Sequence, residues 1–431
     1  MNKEAGQPAR PTRRRWRGVA VAAAAVVLLG GGYATANAAT NGGTGKHTAA
    51  ARPQIRNAKG VAAVVNAANA FLDTLSTDQQ AEVLLELSQA NATNWSNLPE
   101  GIVTRPGIQF STLSDEQLAA AKAVVRAAMG TGKGTGFDQA TQILKADDVL
   151  AAAGSGSASA SADPSATAEP TATETATADP TETATADPSA TATDVPTGTP
   201  PSGGPGGPGG GGGFNYGSGV YFLAFLGTPS ATGTWQLHFG GHHLAVNITF
   251  EDGKVTGSTP FFVGVEPTSF TDTAGTTYQP LSIMRDGIAK LTASLTTAQQ
   301  TEAKLSQSFG DVLLGPGQDG QFPTTKVGIQ VSKLSPEQKK LVLAAIHPWV
   351  AAVDDATAKM LMKTYEKELN QTFVAYSGGL DLATQGDYVR IDGPGVWIEF
   401  ICQNGIVFQD QIHFHTVYRD HTRDYGGEFT F

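Results

Sequence analysis

Histidines dominate the chemistry this sequence can offer. Seven of the eight lie after residue 237, and His413-Phe-His415 is the arrangement with the clearest use. Side chains alternate along a β-strand, so residues two apart leave the same face about 7 Å from each other. At that spacing two neutral imidazoles can close on one metal ion. His242-His243 is a weaker pattern, because adjacent residues of a strand point to opposite faces. Arg390, Glu399 and Arg419 complete the set, each a charged residue inside an otherwise apolar, strand-like run.

Which of these share a face depends on the turns between them. Asp252-Gly253 and Asn404-Gly405 are the two strongest hairpin-turn signals in the chain. If both are two-residue turns, counting outward puts Val396, Ile398 and Phe400 on the face of His413 and His415. Trp397 and Glu399 then fall on the opposite face, unless a bulge around residues 409–411 reverses them. A correspondence between Gly241–Gly253 and Gly393–Gly405 brings His242 into the class of the His-x-His pair. The expected metal set is therefore His242, His413 and His415, three imidazoles with a fourth position open, which suits zinc, copper or iron. His243 and Glu399 are the candidates for proton transfer, and Arg390 and Arg419 for ligand binding. The bland alternatives are histidines that hydrogen-bond the sheet, Glu399 as a buried partner of Arg390, and Arg419 ion-paired with Asp420 and Asp424 at the chain end.

The elements that must hold these residues repeat within the chain. Leu75-Ser-Thr-Asp-Gln-Gln-Ala-Glu82 matches Leu295-Thr-Thr-Ala-Gln-Gln-Thr-Glu302, and Gly107-Ile-Gln-Phe-Ser-Thr-Leu-Ser-Asp-Glu-Gln117 matches Gly328-Ile-Gln-Val-Ser-Lys-Leu-Ser-Pro-Glu-Gln338. The Ser-x-x-Gln endings are helix N-terminus signatures, and Pro336 suits a first helical position. Helices are expected near 114–129, 137–152, 335–347 and 353–370. Strands are expected at 219–226, 234–239, 242–250, 254–263, 372–376, 387–391, 396–402 and 406–419. Helices followed by antiparallel strands, twice over, predict an α+β fold with internal duplication and approximate twofold symmetry.

Between the matched segments lies an Ala/Thr/Pro/Gly-rich tract at 154–213, acidic and without Lys or Arg. It has too little apolar side chain to offset its ordering entropy, so disorder is expected. The helical repeats are separated by a longer interval than the strand repeats, and the difference is close to the length of this tract. The tract thus reads as an insert within one module: residues 57–153 form its helical first part and 214–431 the remainder.

Residues 1–39 carry a cationic head, an uncharged Ala/Val/Leu-rich stretch and Ala36-Asn37-Ala38, the layout of a secretory signal peptide, with an N-terminal membrane anchor as the rival reading. Residues 40–56 read as a flexible leader. A formal charge of −10 argues against nucleic acid as a partner. Cys402 is the only cysteine, so no internal disulfide is available, and its apolar surroundings suggest a buried thiol. Gly130-Thr-Gly-Lys-Gly-Thr-Gly136 lacks the Ser or Thr that a phosphate loop needs after its lysine, and reads as a turn.

The motifs Gly241-His242-His243-Leu244 with Asn247, PFFVGVEP at 260–267, Tyr388-Val-Arg390-Ile-Asp-Gly-Pro394, Ile398-Glu399-Phe400 and His413-Phe-His415-Thr-Val-Tyr-Arg419-Asp420, with Asp424-Tyr425-Gly426 after them, resemble a family of secreted bacterial proteins. That family is catalogued as domain of unknown function number three thousand five hundred. The resemblance runs from about residue 60 to the end. It implies one module continuous across the tract and supports His242, His243, Arg390, Glu399, His413, His415 and Arg419 as the residues of interest, but it transfers no activity. The reading that results is an exported, extracytoplasmic metal-binding protein, with metal-dependent catalysis as its sharper form. A non-catalytic envelope module for a glycan or small ligand, and a purely structural envelope protein, are the alternatives.

Overall fold

Reciprocal capping boxes start four of the helices. Ser76, Ser114, Thr296 and Ser335 each accept the amide of the glutamine three residues on, whose side chain returns to the cap's own amide. The glutamines then bond each other in pairs, Gln117 Nε2 to Gln79 Oε1 at 2.9 Å and Gln338 Nε2 to Gln299 Oε1 at 2.8 Å. One local signal thus joins Thr77–Val83 to Asp115–Ala128 and Thr297–Ala303 to Pro336–Val350. Val61–Asp73 and Ser282–Ala293 begin at Gly60 and Leu281 with no side-chain cap, and they are absent from the expected set of helices. Their apolar faces hold them instead: Val61–Asp73 packs on Asp115–Ala128, and Ser282–Ala293 on Pro336–Val350.

The chain is seen here in a computed structural model that describes residues 59–159 and 214–431, with side chains described to residue 154 in the first segment. The segment read as a signal peptide or anchor and the threonine-rich tract lie outside the described residues. Among the described residues no helix is long and apolar enough to cross a membrane. Both described segments belong to one compact unit, so the α+β class stands.

Its centre is a mixed sheet of twelve strands. From one edge inward, Leu84–Leu85, Phe222–Leu226, Thr234–Gly241, Leu244–Glu251 and Phe261–Val265 lie side by side. From the other edge run Ile329–Gln330, Phe373–Ser377, Tyr388–Asp392, Val396–Asn404 and Ile412–Asp420. The two sets meet where Phe414, Thr416 and Tyr418 pair with Val265, Val263 and Phe261. Leu84–Leu85 and Ile108–Gln109 both pair with Phe222–Leu226, so residues on either side of the tract share one sheet. The strand expected over 254–263 is two, Lys254–Gly257 and Phe261–Val265, broken where Pro260 removes a ladder donor.

Alternation divides the core between the two faces. Leu223, Phe239, Val263, Phe400, Phe414 and Tyr418 lie under the helices in the larger hydrophobic cluster. Ala224, Phe262, Ile401 and Val417, one residue out of phase, belong to a second cluster completed by Trp95, Phe309, Val312 and Tyr425. These last come from long connections and the C-terminal end, so one face is roofed by helices and the other by loops. The functional candidates lie on the loop-covered face.

Candidate metal centre

The site is built on a turn. Gly241 pairs with Leu244, so His242 and His243 are the two turn residues and not part of a strand. His243 sits at φ 61°, the left-handed region, at the second central position of the turn. Backbone bonds fix the turn against its neighbours: Gly264 N donates to His243 O at 2.7 Å, and His243 N to Asn97 O at 3.2 Å. The Tyr221 hydroxyl donates to the carbonyl of His242 at 2.5 Å. Two adjacent residues of a turn are not forced to opposite faces, and here the rings stack, with centroids 3.7 Å apart.

His413 and His415 reach the same place from the facing strand. His413 Nδ1 is 2.6 Å from the carbonyl of Asn404, which can only accept, so that nitrogen carries the proton. His415 Nδ1 is 3.0 Å from Asp311 Oδ1, and an ionised carboxylate sets the same tautomer. Both Nε2 atoms are thereby left as lone pairs, and they face each other at 3.1 Å. Ring nitrogens of His243, His413 and His415 all lie within 4.8 Å of one another. Burial pushes His413 down to about 3 and His243 well below the ordinary imidazole range, and the neighbouring imidazoles push in the same direction. Burial acts to raise Asp311, yet its contact with His415 and the hydrogen bonds from the Val312 amide and Gln403 bring it below its ordinary value.

Gly264 makes room for the cluster. A Cβ there would lie 2.7 Å from Cδ2 of His243 and 2.9 Å from Cδ2 of His415, closer than packed carbons come. Of the expected metal set, His413 and His415 stand in the converging group, which His243 completes and His242 does not join. His242 is turned aside: its Nδ1 lies 2.5 Å from Asp147 Oδ1, and the Tyr216 ring meets it edge-on at 5.0 Å.

Glu399 is on the face of the histidines, contrary to the count from a two-residue turn. Asn404 pairs with Ile412, so residues 405–411 form the connection, and this odd number reverses the parity. Glu266 Oε1 holds that loop by accepting the amides of Val407 and Phe408 at 2.8 and 2.7 Å. Glu399 is fully buried, and its hydrogen bonds go to groups other than the imidazoles. It accepts from the amides of Leu313 and Leu314, the hydroxyl of Tyr388 and Nε1 of Trp397, at 2.6 to 2.9 Å. Burial raises its acid range against these four donors.

Arg390, opposite Glu399 in the ladder, places its guanidinium over the Trp397 ring at 4.9 Å. Arg419 is fully buried and donates to the carbonyls of Leu314 and Gly315 and to Asp319 and Asp424, at 2.7 to 3.0 Å. Nε and both Nη atoms are thus engaged, and the residue clamps a loop and the chain end to the sheet. Sequence reasoning missed Asp147, Asp311 and Gly264, which lie on a helix, a loop and a strand separated along the chain from the histidines they touch. Only Gly264 fell within a motif singled out beforehand.

A protein-family profile, Protein of unknown function (DUF3500), matches residues 57–427. The chain belongs to the DUF3500 family. No curated protein and no solved structure matches it. For this DUF3500 protein the argument about function therefore starts from the site. The three imidazoles stand at the base of a cleft of about 710 Å³, which His242 also lines. Nitrogens bound to one zinc ion at ~2.0–2.1 Å lie roughly 3.4 Å apart in a tetrahedron, and less when the angle narrows. The Nε2 pair already meets that demand. Cys402 offers no competing thiolate, since it is buried in the helix-side cluster and burial pushes its thiol up to about 12.

Proposed function

We propose that this DUF3500 protein binds one transition-metal ion through Nε2 of His413, Nε2 of His415 and a ring nitrogen of His243. One observation carries the reading: two buried imidazole nitrogens face each other across 3.1 Å, and the hydrogen bonds of both opposite nitrogens to fixed acceptors leave them as lone pairs when the rings are neutral. Such lone pairs repel unless a cation lies between them. Hydrogen-bonded outer nitrogens are also what orient metal-bound histidines and raise their basicity. Three nitrogen donors suit zinc, copper or iron, and the side toward the cleft leaves a coordination position for water or a ligand, as a catalytic ion requires.

The composition of residues 1–39 supports export, and an extracytoplasmic location would give the site its metal outside the cytosol. The paired capping boxes and repeated motifs support a duplicated module with approximate twofold symmetry, interrupted by the threonine-rich tract.

Elemental analysis of the purified full chain tests the assignment. About one zinc, copper or iron ion per chain is expected, falling to background in a variant carrying His413→Ala and His415→Ala. A wild-type chain that takes up none of these metals after dialysis against each would end the proposal.

A further inference from the structure

The apolar side chains that this protein leaves in water are concentrated around one opening. Seven large hydrophobic residues are exposed among the described residues, and four of them, Leu98, Ile102, Phe214 and Ile406, line the cleft above the imidazoles. Phe214 is 59% and Ile406 63% exposed. They come from three separate stretches of chain, so no single helix or strand pattern brings them together. Leaving such area wet costs about 25 cal/mol per Å² relative to covering it, and a patch of this kind marks a binding surface.

Charge narrows what could cover it. No lysine or arginine lines the cleft, and its two carboxylates are engaged. Asp311 accepts from His415 and the Val312 amide, and Glu266 Oε1 from the amides of Val407 and Phe408. Apart from the imidazoles, the remaining polar lining, including Asn97, Gln385 and Gln403, carries no charge. A phosphate or polycarboxylate would find no lysine or arginine there to match its charge. The volume of about 710 Å³ fits a small molecule, since such sites span roughly 300–1,000 Å³. The chain's own tract is a poor occupant, because residues 160–213 contain no Leu, Ile, Met or aromatic residue.

Resting on the metal centre for its anchoring end, we infer that the cleft takes an uncharged small organic molecule. Its apolar body lies against Leu98, Ile102, Phe214 and Ile406, and one neutral oxygen or nitrogen reaches the ion.

Two series on the full chain test this separately from the ion. On protein stripped with a chelator, 1-octanol should bind at least about tenfold more tightly than octanoate, a difference of about 1.4 kcal/mol. On zinc-loaded protein, octanohydroxamate should bind at least about tenfold more tightly than acetohydroxamate. A Phe214→Ser, Ile406→Ser variant, changed only at exposed positions, should lose both preferences and keep its affinity for acetohydroxamate. The inference is overturned if octanoate binds as well as the alcohol, if chain length has no effect, or if the double variant only dissociates a dimer of the chain. A protein that takes up no zinc but keeps the alcohol preference defeats the metal centre and upholds the apolar cleft. Hydroxamates bound equally at both lengths do the reverse.

Discussion

Asp147 Oδ1 lies 2.5 Å from Nδ1 of His242, a residue 95 positions further along the chain. The other oxygen of Asp147 accepts the amide of Gly217 at 2.7 Å, and Asp148 accepts that of Ser218 at 2.6 Å. A helix from before the threonine-rich tract therefore anchors both the chain that follows the tract and the turn that carries His243. Residues 214–431 produced alone should show no cooperative thermal transition, while coexpressed 57–159 should restore one. A sharp two-state melt of the isolated C-terminal piece would refute this.

Gly264 and Asp311 act on the imidazoles without being donors to an ion. Gly264→Ala forces a methyl against the rings of His243 and His415, and Asp311→Asn weakens the acceptor that fixes the tautomer of His415. Each should lower zinc affinity about 10- to 100-fold in competition with a chromophoric chelator. Asp311 is partly exposed, so its substitution should leave the melting temperature nearly unchanged.

Glu399 joins the Leu313–Leu314 loop to the sheet through four hydrogen bonds in a fully buried position. Glu399→Ala leaves those donors without an acceptor and should cost about 3 kcal/mol or more in urea unfolding. Glu399→Gln keeps part of the network and should cost less. Equal and small losses in the two variants would contradict the role of this carboxylate as a tie.

His238 gives the fold an acid sensitivity separate from the metal centre. Burial lowers its imidazole to about 4, reinforced by the positive charge of Arg105 and opposed by a bond with Asn247. The unfolded chain, with an ordinary imidazole near 6.5, binds more protons than the folded chain between these values. Stability should therefore fall as pH drops from about 6.5 to about 4 and level off below, by up to ~3 kcal/mol from this residue. His243 and His413 are shifted in the same direction, so the informative quantity is the difference between wild type and His238→Gln, which should narrow across that interval.

Much of the scaffold could be read from local signals. The glutamine-terminated caps have a short-range cause in Ser114 and Ser335, which start helices, and the strand periods have one in the alternating runs themselves. What failed was parity. Asn404-Gly405 carries a tight-turn signature, but Glu266, distant in sequence, holds a longer loop open at that point and so returns Glu399 to the histidine face. His242 and His243 were counted as strand residues, although Gly240-Gly241 before them could have suggested a turn. Inside a turn the alternation rule does not hold, and it is His243 that stands beside His413 and His415 while His242 bonds Asp147. Asp311 had no legible signal, because its role follows from a loop whose path is fixed by Glu399 and Arg419.

The seam between the two sets of strands runs through the proposed metal centre. Among the described residues only the ladder of Phe261–Val265 with Ile412–Asp420 zips one set to the other within the sheet, and His243 stands on one bank while His413 and His415 stand on the other. An ion bound at the proposed centre would be gripped from both banks and act as a rivet. Whatever loosened its grip would also free the banks to slide, and by linkage whatever braced the banks would tighten the grip.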